Sequence, residues 1–253
     1  MSGFVEGERV LLIDEQGGKY LVRAEPRKFN TRFGVVDLSQ AIGTQPGTVI
    51  HSHLGKPFVV LRPSVVDYIQ KIRRVPQVLL PKDAAQILAN TGVGPGSVVV
   101  DGGAGSGCLA IFLGHLVRPT GHVYSYEIRE DFVELARRNI RFTGLEDIVT
   151  VKQQDICQGI DERDVDLVTL DIPKPEDAIP HAENALKPGG YLFVFSPCIE
   201  PVKRVYEALS SHRFKEIFTI ECLVREIEVK PNATRPKTRM IAHTGYMTFA
   251  RRI

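Results

Sequence analysis

The sequence predicts an α/β chain in which a doubly wound parallel sheet follows a small β domain. Three observations carry that prediction. From Val98 onward, short β-branched runs alternate with helical patterns, which is the pattern of a parallel sheet covered by helices on both faces. The first of those strands, Val98-Val99-Val100-Asp101, breaks into Gly102-Gly103-Ala104-Gly105-Ser106-Gly107 and then into an apolar helical stretch. The first sixty residues instead hold short β segments separated by turn residues, with no helical period.

Taken in order, Arg9 to Ile13 and Lys19 to Arg23 flank Gln16-Gly17-Gly18 and read as a hairpin. Val35 to Leu38, Thr48 to His51 and Phe58 to Leu61 continue the β domain, whose end is placed after residue 62. Residues 63–253 form the second domain. Pro63 can start a helix, and Val65, Val66, Tyr68, Ile69 and Ile72 give it an apolar face before Arg73, Arg74 and Pro76. A second helix, Asp83 to Asn90, leads through Gly92, Gly94 and Gly96 into the strand at Val98. Then follow helix Ser106 to Leu116, strand His122 to Glu127, helix Arg129 to Phe142, and strands Val149 to Lys152 and Asp166 to Asp171. Helix Ala178 to Leu186, strand Tyr191 to Ser196 and helix Pro201 to Ser211 complete the alternation. Lys215 to Val224 and Met240 to Ala250 close the chain as strands without a clear helix between them, the pattern of an antiparallel pair.

Composition is that of an ordinary globular chain, 43% hydrophobic and 25% charged. No apolar run reaches the roughly 18 residues of a membrane helix, and the first residues lack the basic-then-apolar pattern of a signal peptide, so a cytoplasmic protein is expected. Cys108, Cys157, Cys198 and Cys222 are scattered without a Cys-x-x-Cys pair; buried free thiols are expected, with no metal site and no disulfide framework. The net charge of +2 hides an uneven distribution. Residues 1–82 carry 12 Lys/Arg against 7 Asp/Glu, residues 98–177 carry 8 against 15, and residues 223–253 carry 7 against 2. Basic ends around an acidic middle suit a phosphate-binding rim around a site that is not itself cationic.

The Gly103, Gly105, Gly107 turn lets backbone approach a ligand, with the free N–H groups of a helix start expected to face it. Glu127, at the end of the next strand and about twenty residues on, is placed to accept both hydroxyls of a ribose. Asp155 follows the third strand, where an acid can take an adenine amino group, and Asp101 precedes the glycines. Asp171-Ile172-Pro173-Lys174-Pro175 ends the fourth strand, where a carboxylate can hold a base edge and accept a proton. His51 and His53 read as surface histidines, and His243 as structural.

The Gly103-x-Gly105-x-Gly107 spacing differs from the Gly-x-Gly-x-x-Gly of dinucleotide sites and resembles the first motif of class I S-adenosylmethionine-dependent methyltransferases. With Arg73 to Asp83, Tyr126-Glu127-Ile128-Arg129, Asp171 to Glu176 and His243 to Arg252, the chain resembles tRNA adenine-N1 methyltransferases of the TrmI type, archaeal ones especially, over nearly its whole length. Leu80 departs from the aromatic or His side chain usual in that family, and Asp101-Gly102 from its commoner Glu-Ala. The resemblance implies a Rossmann-like, doubly wound seven-stranded methyltransferase sheet and S-adenosyl-L-methionine as cofactor. It implies that Gln77, Asp101, Gly103, Gly105, Ser106, Gly107, Glu127, Asp155 and Asp171 surround the cofactor, with Asp171 also the catalytic residue on the adenine edge. It further implies methylation of a T-loop adenine in tRNA, at position 58 and in archaeal members also 57, by a homotetramer. Arg23, Arg27, Lys28, Arg73, Arg235, Lys237 and Arg239 are then candidates for contacts to the tRNA backbone. Two other readings stay open on sequence alone: a non-catalytic tRNA-binding subunit of a methyltransferase assembly, and a methyltransferase of the same fold acting on a small molecule or protein.

Overall fold

The computed structural model describes residues 2–74 and 79–253. The chain divides into two compact units, Met1–Ile72 and Arg73–Ile253, ten residues later than the break placed from sequence.

In the first unit, β1 (Arg9–Asp14), β2 (Lys19–Arg23), β5 (Val49–His51) and β6 (Pro57–Leu61) form an antiparallel sheet ordered β2-β1-β6-β5, and β3 (Lys28–Thr31) and β4 (Gly34–Asp37) pair as a hairpin. The β1–β2 turn is fixed by Asp14, whose Oδ1 accepts from the backbone N–H of Gln16 at 2.9 Å and of Gly18 at 2.7 Å. Phe4, Val10, Leu12, Val36, Phe58 and Val60 make the core. Strand β3 has no counterpart in the sequence reading, because Lys28-Phe29-Asn30-Thr31 offers a single apolar residue and owes its extended form to pairing with β4. Helix α1 (Val65–Lys71) starts at a capping box, Ser64 with Asp67, one residue after Pro63. Asp67 also accepts from Lys19 Nζ on β2 at 2.7 Å, which is why α1 belongs to this unit.

The second unit begins with α2 (Pro81–Thr91), then runs β7 (Val98–Gly102), α3 (Cys108–Val117), β8 (His122–Glu127), α4 (Glu130–Thr143), β9 (Val149–Gln153), β10 (Val165–Leu170), α5 (Pro175–Ala185), β11 (Leu186–Ser196), α6 (Ile199–Ser210) and β12 (Phe214–Ile220). A short ribbon, β13 (Ile227–Glu228) with β14 (Arg235–Pro236), precedes β15 (Tyr246–Arg252). The sheet has seven strands in the order β12-β15-β11-β10-β7-β8-β9. Strands β11, β10, β7, β8 and β9 are parallel neighbours, and β15 is antiparallel to both β11 and β12, as the closing pattern predicted. The two closing strands are shorter than the sequence suggested. β12 stops at Ile220 and β15 starts only at Tyr246, where the register with β11 (Ser196↔Tyr246) begins. The Lys187 to Gly190 turn lies inside β11 as a register shift, and α5 starts three residues early, at Pro175, because Pro suits the first helical position.

From β7 the chain winds outward through β8 and β9, then returns to β10 on the other side of β7. That reversal leaves a crevice beyond the carboxyl ends of β7 and β10, where open α/β sheets place their ligands. Beneath it, Val100, Leu170, Val168, Ile179 and Val194 belong to one buried cluster that fixes the strand ends. Of the cysteines, all free, only Cys108 is buried; Cys198 is exposed and the other two are intermediate, because Cys198 sits at the start of α6 on the sheet rim. Among the described residues, no helix is long and apolar enough to cross a membrane.

Candidate active site

At that crevice lies a cavity of about 810 Å³ lined by, among others, Gly103, Gly105, Glu127, Asp155 and Asp171. Three β-strand ends, those of β8, β9 and β10, thus deliver predicted acids to one place, and the end of β7 brings the glycines. Glu127 is held rigidly: its Oε1 accepts from the backbone N–H of Ile128 and Arg129, both at 3.0 Å, and its Oε2 from Gly105 N–H at 2.9 Å. Oε1 thereby has both lone pairs engaged, and Oε2 keeps one for a further donor. Asp155 Oδ1 accepts from Cys157 N–H at 2.9 Å, which leaves Oδ2 open at the exposed rim.

The glycine loop works differently from the expectation of free N–H groups. Gly103 and Ala104 N–H both donate to Tyr126 O at 3.0 Å, Gly105 N–H goes to Glu127, and Gly107 N–H goes to Ala104 O at 2.7 Å. The reason is the sharpness of the turn, which brings β7 against the end of β8. Asn139 on α4 donates to Ser106 O at 2.8 Å, and Gly107 starts α3 at φ 76° with a Cβ position 3.3 Å from Ala136, so these two residues seat the loop on α4 and do not line the cavity.

Asp101 does not line the cavity either. It is 1% exposed; its Oδ2 accepts from Ser125 Oγ at 2.6 Å and its Oδ1 from Thr169 Oγ1 at 2.8 Å, hydroxyls on the two strands flanking β7. Burial pushes its carboxyl up. Gln77 lies outside the described residues.

Asp171 projects just past β10, its N–H donating to Gly102 O at 2.9 Å. Burial first, and then the Asp101 carboxylate, push its carboxyl up to about 7. Such a group changes charge at neutral pH, as a proton acceptor must. The cavity wall also includes residues the sequence reading missed. Arg129 lies over the Phe132 ring at 3.8 Å, and Phe195, Ser196 and Pro197 end β11, the Ser196 hydroxyl being buried without a hydrogen-bond partner among the described residues. The rule that ligands meet carboxyl ends of strands would have found the β11 group, since Tyr191 to Ser196 was already read as a strand. His243, with Nδ1 2.6 Å from Glu221 and Nε2 2.9 Å from Pro197 O, braces that wall from behind. Lys82 does similar work at α2, its Nζ reaching Asp83 Oδ1, Cys222 O and Thr244 Oγ1.

The charges around the cavity discriminate between ligands. Glu127, Asp155, Asp171 and Asp177 face it against Arg129 and Lys174. An acidic cavity, with the N–H groups of Gly103, Ala104, Gly105 and Gly107 already bonded, repels a pyrophosphate and suits a nucleoside bearing positive charge.

Comparison with known proteins agrees. The chain is 37% identical to the tRNA (adenine(57)-N(1)/adenine(58)-N(1))-methyltransferase TrmI of Methanocaldococcus jannaschii, over 95% of this chain and 94% of the relative. It is 32% identical to the tRNA (adenine(58)-N(1))-methyltransferase TrmI of Thermus thermophilus, over 96% of each. Among solved structures, a SAM-dependent O-methyltransferase from Thermotoga maritima superposes with a TM-score of 0.85 at 37% identity, covering 98% of this chain and 94% of that one. The tRNA (m1A58) methyltransferase TrmI from Aquifex aeolicus does so at 0.79 and 25% identity, covering 99% of both. The family described as tRNA methyltransferase complex GCD14 subunit matches residues 59–234, and with that match the chain belongs to this tRNA methyltransferase family.

Proposed function

We propose that this protein transfers a methyl group from S-adenosyl-L-methionine to N1 of an adenine in the T-loop of tRNA, at position 58 and with 57 as a second target. The observation that carries the reading is the Asp171 carboxyl, poised near neutrality in the same cavity as Glu127 and Asp155.

The residues present fit the cofactor. Glu127, fixed by three backbone donors, would take the ribose hydroxyls; Asp155 would take the adenine amino group; Ile128 and Phe132 supply apolar wall. When bound, S-adenosyl-L-methionine supplies an electrophilic methyl on a sulfonium. Adenine N1 is buried in pairing or stacking in folded RNA, so the target base must turn out of its stack to enter the cavity. Asp171, ionised, accepts a hydrogen bond from the exocyclic amino group and thereby aims N1. As N1 gains a carbon and becomes positively charged, the carboxylate offsets that charge and takes the amino proton. Positioning supplies the remainder of the acceleration. Arg23, Arg27, Lys28, Arg73, Arg235, Lys237 and Arg239 are all exposed, and phosphates would have to compete with the Glu25, Glu228 and Glu226 partners of Arg27, Arg235 and Lys237. A homotetramer belongs to the same reading. The exposed Leu223, Val224, Ile227, Val229, Met240 and Ile241 are the kind of surface an assembly of copies covers.

Primer extension on an unmodified tRNA transcript treated with protein and cofactor tests the proposal, because N1 methylation blocks Watson–Crick pairing. Arrest at a T-loop adenine is expected, and one or two stops report one or two targets. Copying through the T-loop would overturn it. Binding of cofactor and tRNA without transfer would favour a binding subunit.

Glu127→Gln is expected to weaken cofactor affinity by about 10- to 100-fold, read by calorimetry. The amide nitrogen cannot accept, so at least one of the three backbone donors loses its partner, at roughly 1–3 kcal/mol. An unchanged Kd would remove Glu127 from the cofactor site.

A further inference from the structure

We infer that Asp101 is a positioning residue for methyl transfer, acting from behind the cavity through Asp171 and not on the cofactor. This rests on the reading of Asp171 as the group that meets the adenine.

The geometry is a row of three side chains across adjacent parallel strands. Asp101 on β7 stands in register with Thr169 on β10 and with Ser125 on β8, and it receives a hydroxyl from each. Thr169 and Asp171 are two residues apart. The Asp171 N–H to Gly102 O bond continues the strand pairing past the formal end of β10, so their side chains share a face of the sheet. The Asp101 carboxyl, the Thr169 hydroxyl and the Asp171 carboxyl therefore lie on one side, the first sealed in the sheet and the last opening into the cavity.

Two features mark Asp101 as more than a packing element. Among the described residues, its hydrogen-bond donors are two neutral hydroxyls and it makes no ion pair. A buried carboxylate without a counter-charge is costly, and an Asn there would accept from one hydroxyl through its oxygen and donate its amide N–H to the other while removing that cost. The two hydroxyl donors offset part of the burial that pushes Asp101 up, Asp171 has no such donor to its carboxyl among the described residues, and the repulsion between the two carboxyls falls on Asp171.

The charged groups facing Asp171 are Asp101 on β7, Glu127 ending β8, Arg129 beyond it, Asp155 beyond β9, Lys174 on its own loop and Asp177 on α5. Of these, the Asp101 carboxylate is the charge that bears on it, adding to burial. With Asp101 ionised, Asp171 holds its proton up to neutral pH and remains a strong enough base to take one from the adenine amino group.

The test is the pH profile of single-turnover methyl transfer for wild type and Asp101→Asn, with calorimetry of S-adenosyl-L-methionine binding and thermal melting alongside. The expected result is an acid limb lowered by about one pH unit, with cofactor Kd changed by less than about threefold. An unmoved limb in a folded variant would overturn the inference, as would a cofactor Kd raised more than tenfold with no shift of the limb, since Asp101 would then act on the cofactor. A wild type that leaves T-loop adenine unmethylated removes the underlying reading instead, so the two failures are distinguishable. Should Asp101→Asn not fold, carbon-13 titration of wild-type Asp171, assigned by its loss in Asp171→Asn, decides. Two inflections with the main one near neutrality support the coupling; a single inflection in the ordinary carboxylate range overturns it.

Discussion

Asp171→Asn is expected to lower the single-turnover rate of methyl transfer by about 10²–10⁴-fold, the usual worth of a positioned proton acceptor. The same substitution is expected to stabilise the protein above neutral pH. The sign follows from linkage. The carboxyl sits at about 7 in the folded chain against an ordinary value of 3.8, so between those pH values the folded state holds a proton that the unfolded state has released. Stability therefore falls as pH rises from about 4 to about 7, and the loss is complete above 7. Asn cannot ionise and escapes that loss. Three units of pH would correspond to roughly 4 kcal/mol; Asp171 keeps some solvent contact, which brings the expectation to roughly 2 kcal/mol at pH 8 and almost none at pH 4. Denaturant melts of both proteins at the two pH values read it directly. Equal stability at pH 8 would show that Asp171 is not held against its charge. In the wild type, kcat/KM should rise about tenfold per pH unit below 7 and level off above it, since the ionised carboxylate is the working form.

Gly103→Ala is expected to cost about 100-fold in kcat while leaving cofactor affinity within about tenfold. Gly103 has φ 95°, and a Cβ there would lie 2.3 Å from Asp171 O and 3.0 Å from Asp171 C. Those are backbone atoms and cannot swing aside. The end of β10 would have to shift, and a shift of about 1 Å at a reacting group costs on the order of 10²-fold. Strain at the positive φ adds roughly 1–3 kcal/mol of destabilisation. Methyl-transfer kinetics and calorimetry on one preparation separate the outcomes. Loss of affinity with an intact kcat would mean that this glycine clears room for the cofactor and not for Asp171.

That contrast shows what was legible in the residues. Alternating β-branched runs and amphipathic stretches placed the strands of the parallel sheet to within a residue or two, except where β11 begins, because buried parallel strands have little freedom in composition. Glu127, Asp155 and Asp171 were legible as strand-end acids, and the cavity gathers all three. Where chain-local signals were weak, the reading slipped. Lys28–Thr31 is a strand only because β4 pairs with it, and α1 sorts with the β domain through Lys19 and Asp67, forty-eight positions apart. The Phe195 to Pro197 wall was overlooked because its strand end carries no charged side chain to mark it, although the strand that places it is legible.

The sequence by itself determined the class of fold, the crevice at the strand ends and the family resemblance, since periodicity, turn chemistry and motif spacing are all written along the chain. Only the tertiary structure decided which of the acids face the ligand. Asp101 and Asp171 look alike in sequence, each an acid ending an apolar strand. Yet two hydroxyls from neighbouring strands bury one inside the sheet, and two further steps of pleat carry the other into the cavity. Their proton affinities are properties of desolvation and of charge across strands seventy residues apart, and those exist only once the strands are side by side.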